Sequence, residues 1–132
     1  MLTFLIPCLN ESSTIEKVVK DCSKALLISK IKGRVLVADN GSSDGSQYLA
    51  KKSGADVINV VKRGYGAALN EGIKEIKSGY VVMLDGDSTY SPLDGIKLYE
   101  KCINGFDLVM GNRFAGVIKD GAMLFLHKYL GN

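Results

Sequence analysis

Short apolar runs alternate along the chain with longer segments in which apolar residues recur every three or four positions. Most of the runs are rich in Val and Ile, which is typical of strands buried in a parallel sheet. The pattern predicts five strands, at Leu2–Ile6, Val35–Ala38, Val57–Val61, Tyr80–Leu84 and Leu108–Met110.

The segment after the first strand predicts a helix with one apolar face. Ser13 followed by Glu16 has the spacing of a capping box, in which the two side chains close the first turn. The apolar residues that share one face at helical spacing are Ile15, Val18, Val19, Cys22 and Leu26.

Three more helices are predicted between the later strands. One starts after Asp44, one runs from about Gly66 to Lys77, and one starts at Ser91-Pro92, with Ser as the N-cap and Pro at the first helical position. The resulting β-α-β-α-β-α-β-α-β order predicts a mostly parallel sheet with helices on both faces. In open sheets of this kind, ligands bind beyond the carboxyl ends of the strands.

Length and composition fit a single globular domain, and the distribution of charge argues against binding of nucleic acid. The chain has 132 residues, of which 46% are hydrophobic and 23% charged, and its formal net charge is +3. Lys and Arg are scattered among acidic residues, whereas a nucleic-acid-binding face gathers them. The cysteines, Cys8, Cys22 and Cys102, match no zinc-ligand spacing. We expect them to be small buried hydrophobes in a reducing cytoplasm.

The residues after the second predicted strand offer a carboxylate and a flexible turn. Asp39 could accept hydrogen bonds from a base or a ribose, and the glycine-containing turn 41–43 would let the backbone approach a ligand closely. The alternative is an Asx-turn that caps the next helix through Asp44. That alternative accounts for Asp44 well and for Asp39 poorly, so both interpretations stay open.

Two carboxylates follow the fourth predicted strand. Asp85 and Asp87 are separated by one residue, and two like charges so close repel each other unless a cation or a proton lies between them. Mg²⁺ or Mn²⁺ typically takes one or two carboxylates together with phosphate oxygens. The alternative is a surface turn with two solvated acids. Arg113 follows the fifth predicted strand and could hold a phosphate, although an isolated Arg is more often an ordinary surface residue.

Five motifs follow the predicted strands in order. They are IPCLNE at 6–11, VADNGSSDGS at 37–46, RGYGAALNEG at 63–72, LDGDSTY at 84–90 and GNRF at 111–114. Together they resemble family 2 glycosyltransferases of the GT-A fold, and in particular the dolichol- or polyprenyl-phosphate sugar synthases. Residues 121–132 resemble the glucosyl and mannosyl branch of that group.

The resemblance implies a Rossmann-like GT-A nucleotide-diphospho-sugar transferase fold over residues 1–132, with Mg²⁺ or Mn²⁺ as cofactor. It implies transfer, with inversion, from a UDP-glucose or GDP-mannose class donor to a polyprenyl or dolichyl phosphate. Peripheral contact with the cytoplasmic face of a membrane is then expected. Relatives continue beyond this point, so we expect an incomplete acceptor site and an exposed sheet edge that favours association.

The resemblance also implies a role for individual residues. Asp39 would contact the base, and Asp85 and Asp87 would form the metal motif. Arg113 would meet the diphosphate or the acceptor phosphate, and Asp87 and Arg113 would be the catalytic residues. A second basic contact to the acceptor phosphate falls on His127 and Lys128. The other residues that would line the nucleotide-sugar site are Pro7, Leu9, Asn10, Glu11, Gly41, Ser42, Gly66 and Gly86.

Two other interpretations remain open. Asp85-Gly86-Asp87-Ser88-Thr89 after an apolar strand also fits the Asp-x-Asp-x-Thr motif of haloacid-dehalogenase phosphatases, but the later acids show no pairing of the kind those enzymes need. The chain could also be a relic that binds nucleotide without transferring a sugar. A dinucleotide-binding module is disfavoured, because Leu69 stands where the third glycine of that fingerprint belongs. Relatives often read Asp-Ala-Asp-Asp or Asp-Ala-Asp-Leu where this chain has Gly86 and Ser88, and we expect metal binding to survive these changes because both carboxylates remain.

Overall fold

The computed structural model describes residues 1–112, in which strands and helices alternate. Four of the five predicted strands and all four predicted helices are confirmed. The elements are β1 (Leu2–Cys8), α1 (Ile15–Ile28), β2 (Gly33–Asp39), α2 (Ser46–Lys52), β3 (Asp56–Asn59), α3 (Tyr65–Glu75), β4 (Tyr80–Met83) and α4 (Pro92–Ile103).

The four strands form a parallel sheet in the order β3-β2-β1-β4. In the register of the sheet, Cys8 lies beside Asp39, and Asp39 lies beside Asn59. The carboxyl ends of β1, β2 and β3 are therefore level with one another. The loops that follow them meet at one edge of the sheet, where the sequence analysis placed the candidate site.

Strand β1 lies at the centre of the domain, and all seven of its residues are buried. Alternate side chains, such as Phe4 and Ile6, face a core shared with α1, α2 and α4. Leu5 faces the opposite core, which it shares with Leu36 and with α3. Helices thus cover both faces of the sheet, as predicted, and a continuous apolar strand such as β1 is the expected centre of such a layered fold.

The prediction of a strand at Leu108–Met110 is wrong. These residues form no strand, and the side chains of Leu108 and Met110 are 75% and 81% exposed. The apolar character of the run suggested a buried strand. A strand also needs a free strand edge beside it to complete its hydrogen bonds, and a three-residue run carries no information about that neighbour.

The predicted capping box at Ser13 and Glu16 is also wrong. Helix α1 has Thr14 as its N-cap, and no side chain caps it. The backbone N–H groups of Thr14 and Ile15 both donate to the carbonyl oxygen of Glu11, at 3.0 and 2.9 Å. A backbone turn therefore satisfies these first donors, and the Glu16 carboxylate pairs with Lys20 instead.

Two of the three cysteines behave as predicted. Cys8 and Cys22 are buried, Cys102 is half-buried, and all three are free thiols.

Within residues 1–112, no helix combines the length and the apolar character that crossing a membrane requires.

Two glycines in α3 allow a matched test of its packing. A Cβ at Gly72 would lie 2.4 Å from Cδ1 of the buried Leu5, whereas a Cβ at Gly66 would meet nothing within 4 Å. Alanine has a higher helix propensity than glycine, so we expect Gly66→Ala to raise the free energy of unfolding by up to about 1 kcal/mol. Gly72→Ala should lower it by about 1–3 kcal/mol, because the added methyl overpacks the core. Urea denaturation of both variants measures the difference, and a stabilised Gly72→Ala would contradict this packing.

Candidate functional site

A cleft of about 420 Å³ lies at the carboxyl edge of the sheet. Residues after β1, β2, β3 and β4 all contribute to its walls, as expected for a ligand site in a parallel sheet. The residues predicted from the sequence that line it are Pro7, Leu9, Glu11, Asp85, Gly86 and Asp87. The other predicted residues within 1–112 lie beside the cleft rather than on its wall, namely Asn10, Asp39, Gly41, Ser42 and Gly66.

Hydrogen bonds join the loop after β1 to the loop after β2. The backbone N–H of Asn10 donates to Ser42 Oγ, and the Asn10 side-chain oxygen accepts from Ser43 N, both at 2.9 Å. The N–H of Glu11 donates to Ser46 Oγ, also at 2.9 Å. Asn10 and Ser42 therefore hold one wall of the cleft in place.

Asp44 completes this connection between the two loops. Its Oδ2 accepts from the backbone N–H of Ser12 at 2.9 Å, and its Oδ1 accepts from that of Ser46 at 3.0 Å. Hydrogen bonds from Ser46 and Ser12 lower the pKa of Asp44, so it is ionised at neutral pH. Asp44 therefore forms the expected Asx-turn before α2, but the prediction that it is the N-cap is wrong, because Gly45 is the N-cap and no side chain caps the helix.

Asp39 ends β2 and is fully buried. Its Oδ2 accepts three hydrogen bonds, from Gly41 N at 3.0 Å, Ser42 N at 2.9 Å and Gln47 Nε2 at 2.7 Å. Burial raises the pKa of Asp39, but hydrogen bonds from Ser42, Gln47 and Gly41 outweigh burial, and the pKa lies below its ordinary value. The carboxylate is therefore charged at neutral pH.

The second oxygen of Asp39 is different, because Oδ1 is buried and has no hydrogen-bond partner among the described residues. A buried acceptor without a donor is costly, so this oxygen is a candidate to accept a hydrogen bond from a ligand. A ligand reaches this oxygen only if a neighbouring group moves. The Arg63 guanidinium lies against the turn that follows Asp39, with Nη1 2.7 Å from the carbonyl oxygen of Asn40.

Gly41 allows this close approach of Arg63. Its φ is +91°, and a Cβ there would lie 2.7 Å from Arg63 Nη1. The sequence analysis expected this turn to bring the backbone close to a ligand. In the structure, a guanidinium group occupies that space.

Asp85 and Asp87 lie at the opposite wall of the cleft. Asp85 is half-buried and its Oδ1 accepts from Tyr65 Oη at 2.9 Å, while the exposed Asp87 accepts from the backbone N–H of Thr89 at 2.8 Å. Burial, followed by the hydrogen bond to Asp85, raises the pKa of Tyr65 to about 12, so this phenol remains protonated. Gly86 between the two acids is buried, and a Cβ there would lie 3.3 Å from Glu11 Cγ.

These carboxylates fit a divalent cation that is shared with a bound phosphate. Among the described residues, one oxygen of each carboxylate accepts no hydrogen bond from the protein. Residues 1–112 contain no group of three or more His, Cys, Asp or Glu side chains able to hold a metal. Two carboxylates completed by substrate phosphates are a typical Mg²⁺ arrangement, whereas a metal bound by protein alone needs more ligands.

The sequence analysis missed six residues that line the cleft: Cys8, Asn40, Arg63, Gly64, Tyr65 and Ala68. All six lie within the motifs that carry the family resemblance, which is the one signal that could have identified them. Cys8 lies 3.9 Å from Ser42 Oγ, and burial raises the pKa of its thiol to about 11. It is therefore neutral near pH 7. The predicted phosphate contacts Arg113, His127 and Lys128 lie outside the described residues.

Comparisons with known proteins identify the family. The model of glycosyl transferase family 2 matches residues 3–128. The chain is 39% identical over 129 residues to glycosyltransferase AglJ of Haloferax volcanii, and the match covers 97% of this chain and 40% of that protein. It is 35% identical to the low-salt glycan biosynthesis hexosyltransferase Agl6 of the same organism, over 99% of this chain and 32% of that one.

A solved structure shows the same fold. Glucosyl-3-phosphoglycerate synthase from Mycobacterium tuberculosis, in complex with Mn²⁺, UDP-glucose and phosphoglyceric acid, matches with a TM-score of 0.70 and 29% identity. The match covers 80% of this chain and 40% of that one. The chain thus spans 40% or less of the length of these relatives. The family match decides against the phosphatase interpretation of Asp85 and Asp87, and the chain belongs to glycosyl transferase family 2.

Proposed function

We propose that this chain is the nucleotide-sugar-binding part of an inverting glycosyltransferase. The observation that carries the proposal is the cleft at the carboxyl edge of the sheet, with Asp85 and Asp87 on one wall. In a member of this family, a carboxylate pair beside a cleft of this size suits a nucleoside diphosphate bound together with a divalent cation. The donor belongs to the UDP-glucose or GDP-mannose class.

Asp39 is the proposed contact to the nucleobase. Its Oδ1 is a buried acceptor that lacks a donor, and an N–H group of a base is a donor of the required kind. Pro7, Leu9 and Glu11 would frame the nucleoside, since they line the adjacent wall. The UDP-glucose bound by the Mycobacterium tuberculosis synthase supports a uridine donor first, with guanosine as the second choice.

Asp85 and Asp87 would hold Mg²⁺ or Mn²⁺, and Mn²⁺ accompanies UDP-glucose in the same synthase. When bound, the cation supplies positive charge that stabilises the leaving diphosphate. In the reaction, an acceptor oxygen forms a bond to the anomeric carbon as the bond to the diphosphate breaks, and the diphosphate keeps the electron pair. Attack from the face opposite the leaving group inverts that carbon.

The proposed acceptor is a polyprenyl or dolichyl phosphate. A phosphate is already ionised near pH 7, so its attack needs no strong general base. Arg113, His127 and Lys128 are the proposed contacts to this phosphate. A lipid acceptor would place the protein at the cytoplasmic face of a membrane.

We also propose that the sheet edges formed by β3 and β4 favour association between copies, which size-exclusion chromatography tests.

Thermal stabilisation tests the nucleotide site. UDP, GDP, UDP-glucose, GDP-mannose and NAD⁺ would each be added with and without Mn²⁺. Ligands that bind only the folded state raise the melting temperature. We expect one nucleotide to raise it more in the presence of Mn²⁺ than in its absence. Binding without sugar transfer to a polyprenyl phosphate would support the nucleotide-binding relic, and stabilisation by none of the nucleotides would contradict the proposed site.

Asp87→Asn tests the metal assignment. Loss of one carboxylate removes a charged oxygen ligand, so the stabilisation by nucleotide should become the same with and without Mn²⁺. Asp94→Asn is the matched control, because Asp94 is an exposed acid outside the cleft that forms an ion pair with Lys97. We expect that control to keep the Mn²⁺ dependence of the wild type. An Asp87→Asn variant that keeps it as well would remove Asp87 from the metal site.

Asp39→Asn tests the charge of the buried carboxylate through the pH dependence of stability. Because the pKa of Asp39 is lowered in the folded state, its stabilising effect is complete above the ordinary carboxyl value of about 4 and is lost as pH falls through the folded value. At pH 7 we expect the variant to be less stable than wild type by about 1–3 kcal/mol.

The measurement is urea denaturation of the two proteins from pH 7 down to pH 3. The difference between their free energies of unfolding should shrink below pH 4, as Asp39 becomes protonated in the wild type. Asp107→Asn, at an exposed acid outside the cleft, is the control and should leave stability nearly unchanged at pH 7. A difference that stays constant over the whole pH range would show that the charge of Asp39 does not stabilise the fold.

A further inference from the structure

Asn40 is a buried amide directly after β2, with 4% of its surface exposed. Its side chain bonds to three backbone groups of the segment 60–64, which we call the arginine loop. Nδ2 donates to the carbonyl oxygens of Val60 at 3.1 Å and Lys62 at 2.7 Å, and Oδ1 accepts from Gly64 N at 2.7 Å. The Asn40 backbone N–H donates to Cys8 O at 2.8 Å, which ties the residue to β1 as well.

The arrangement requires an amide at this position. Both protons of Nδ2 and the oxygen Oδ1 are engaged, so the donors and the acceptor of the group match the loop. A carboxylate of the same shape would still accept from Gly64, but it would place an oxygen against two carbonyl oxygens. It would also add a second buried charge directly beside Asp39.

Val60, the first residue of the arginine loop, is buried and donates its N–H to Asp39 O at 2.8 Å, but residues 61–64 have little support besides Asn40. Val61 is 94% exposed, and Lys62, Arg63 and Gly64 are exposed as well. Gly64 has a φ of +121° and precedes α3 without a side-chain cap. Burial of apolar side chains therefore contributes little to the position of residues 61–64, and their main connection to the sheet is through hydrogen bonds with Asn40.

The loop carries two side chains into the cleft. The Arg63 guanidinium lies 2.7 Å from the carbonyl oxygen of Asn40, and Tyr65, which directly follows the loop, donates to Asp85 at 2.9 Å. Arg63 is the cationic side chain among the described residues that line the cleft. The position of the arginine loop therefore determines where the positive charge of Arg63 lies relative to a bound anion.

We propose that Asn40 is a positioning residue: it holds the arginine loop so that Arg63 and Tyr65 face the bound nucleotide sugar. This inference rests on the proposed function, because it assumes a nucleotide in the cleft. Asn40 itself acts through the loop and has its polar side-chain atoms occupied by backbone groups.

The test compares Asn40→Asp with Asn59→Asp. Asn59 is exposed and ends the neighbouring strand β3, so its substitution adds the same charge at the same edge of the sheet without removing a loop contact. The Gly64 amide and the Asn40 side-chain NH₂ give NMR signals that report directly on these hydrogen bonds. Hydrogen exchange of the Gly64 amide and the affinity for UDP or GDP with Mn²⁺ would be measured in each protein.

In Asn40→Asp, we expect Gly64 to exchange at least about tenfold faster and the nucleotide to bind about tenfold more weakly, with the amides of β1 still protected. Asn59→Asp should change neither quantity by as much. Wild-type exchange at Gly64 in Asn40→Asp, or unchanged nucleotide affinity despite faster exchange, would overturn the proposal. Equal losses of affinity in the two variants would assign the effect to added charge and would also overturn it.

Two outcomes separate this inference from the proposed function. If Asn40→Asp does not fold, the wild type decides, because a Gly64 amide that exchanges at the rate of an unprotected peptide would show that Asn40 does not hold the loop. If the wild type binds no nucleotide, the proposed function fails, and with it the positioning of Arg63 towards a nucleotide. The Gly64 exchange rates then still show whether Asn40 holds the loop.

Discussion

The candidate site depends on how the backbone is satisfied just beyond the ends of the parallel strands. Inside the sheet each N–H finds a carbonyl on the next strand, but that ladder stops where the strands stop. Beyond the strand ends of this domain, short polar side chains accept hydrogen bonds from the backbone N–H groups. Ser42, Asp44 and Ser46 accept from the loop after β1, at 2.9 Å each. The same bonds that complete the fold therefore build the wall of the cleft.

The end of β2 serves the loops on both of its sides. Successive side chains of a strand point to opposite faces, and Asp39 and Asn40 continue that alternation at the strand end. Asp39 bonds to its own turn and to Gln47 of α2, whereas Asn40 bonds to the loop before α3. One acid and one amide, adjacent in sequence, thus organise two different walls. Exchanging them would leave each wall with donors or acceptors that lack a partner.

The sequence predicted the parts of this structure that arise from local pattern. Runs of Val and Ile located β1 to β4, and the alternation of strands with helices placed the site at their carboxyl ends. The failures concern partners distant in sequence. Composition could not show that Leu108–Met110 has no neighbouring strand, nor that Glu11 rather than Ser13 completes the turn before α1. The loop contacts of Asn40 span 20 to 24 residues, beyond the reach of periodicity or capping rules.

In the proposed function, the charge of the cleft couples the binding of the metal to that of the nucleotide. Among the described residues that line it, the three acids Glu11, Asp85 and Asp87 face the single cation Arg63. Such a surface repels a nucleoside diphosphate, and two carboxylates hold a divalent cation only weakly without further oxygens. Each ligand removes the obstacle to the other, because the cation offsets the acids and the diphosphate completes the coordination. The coupling must be reciprocal, so nucleotide should strengthen the binding of Mn²⁺ by the same factor as Mn²⁺ strengthens the binding of nucleotide.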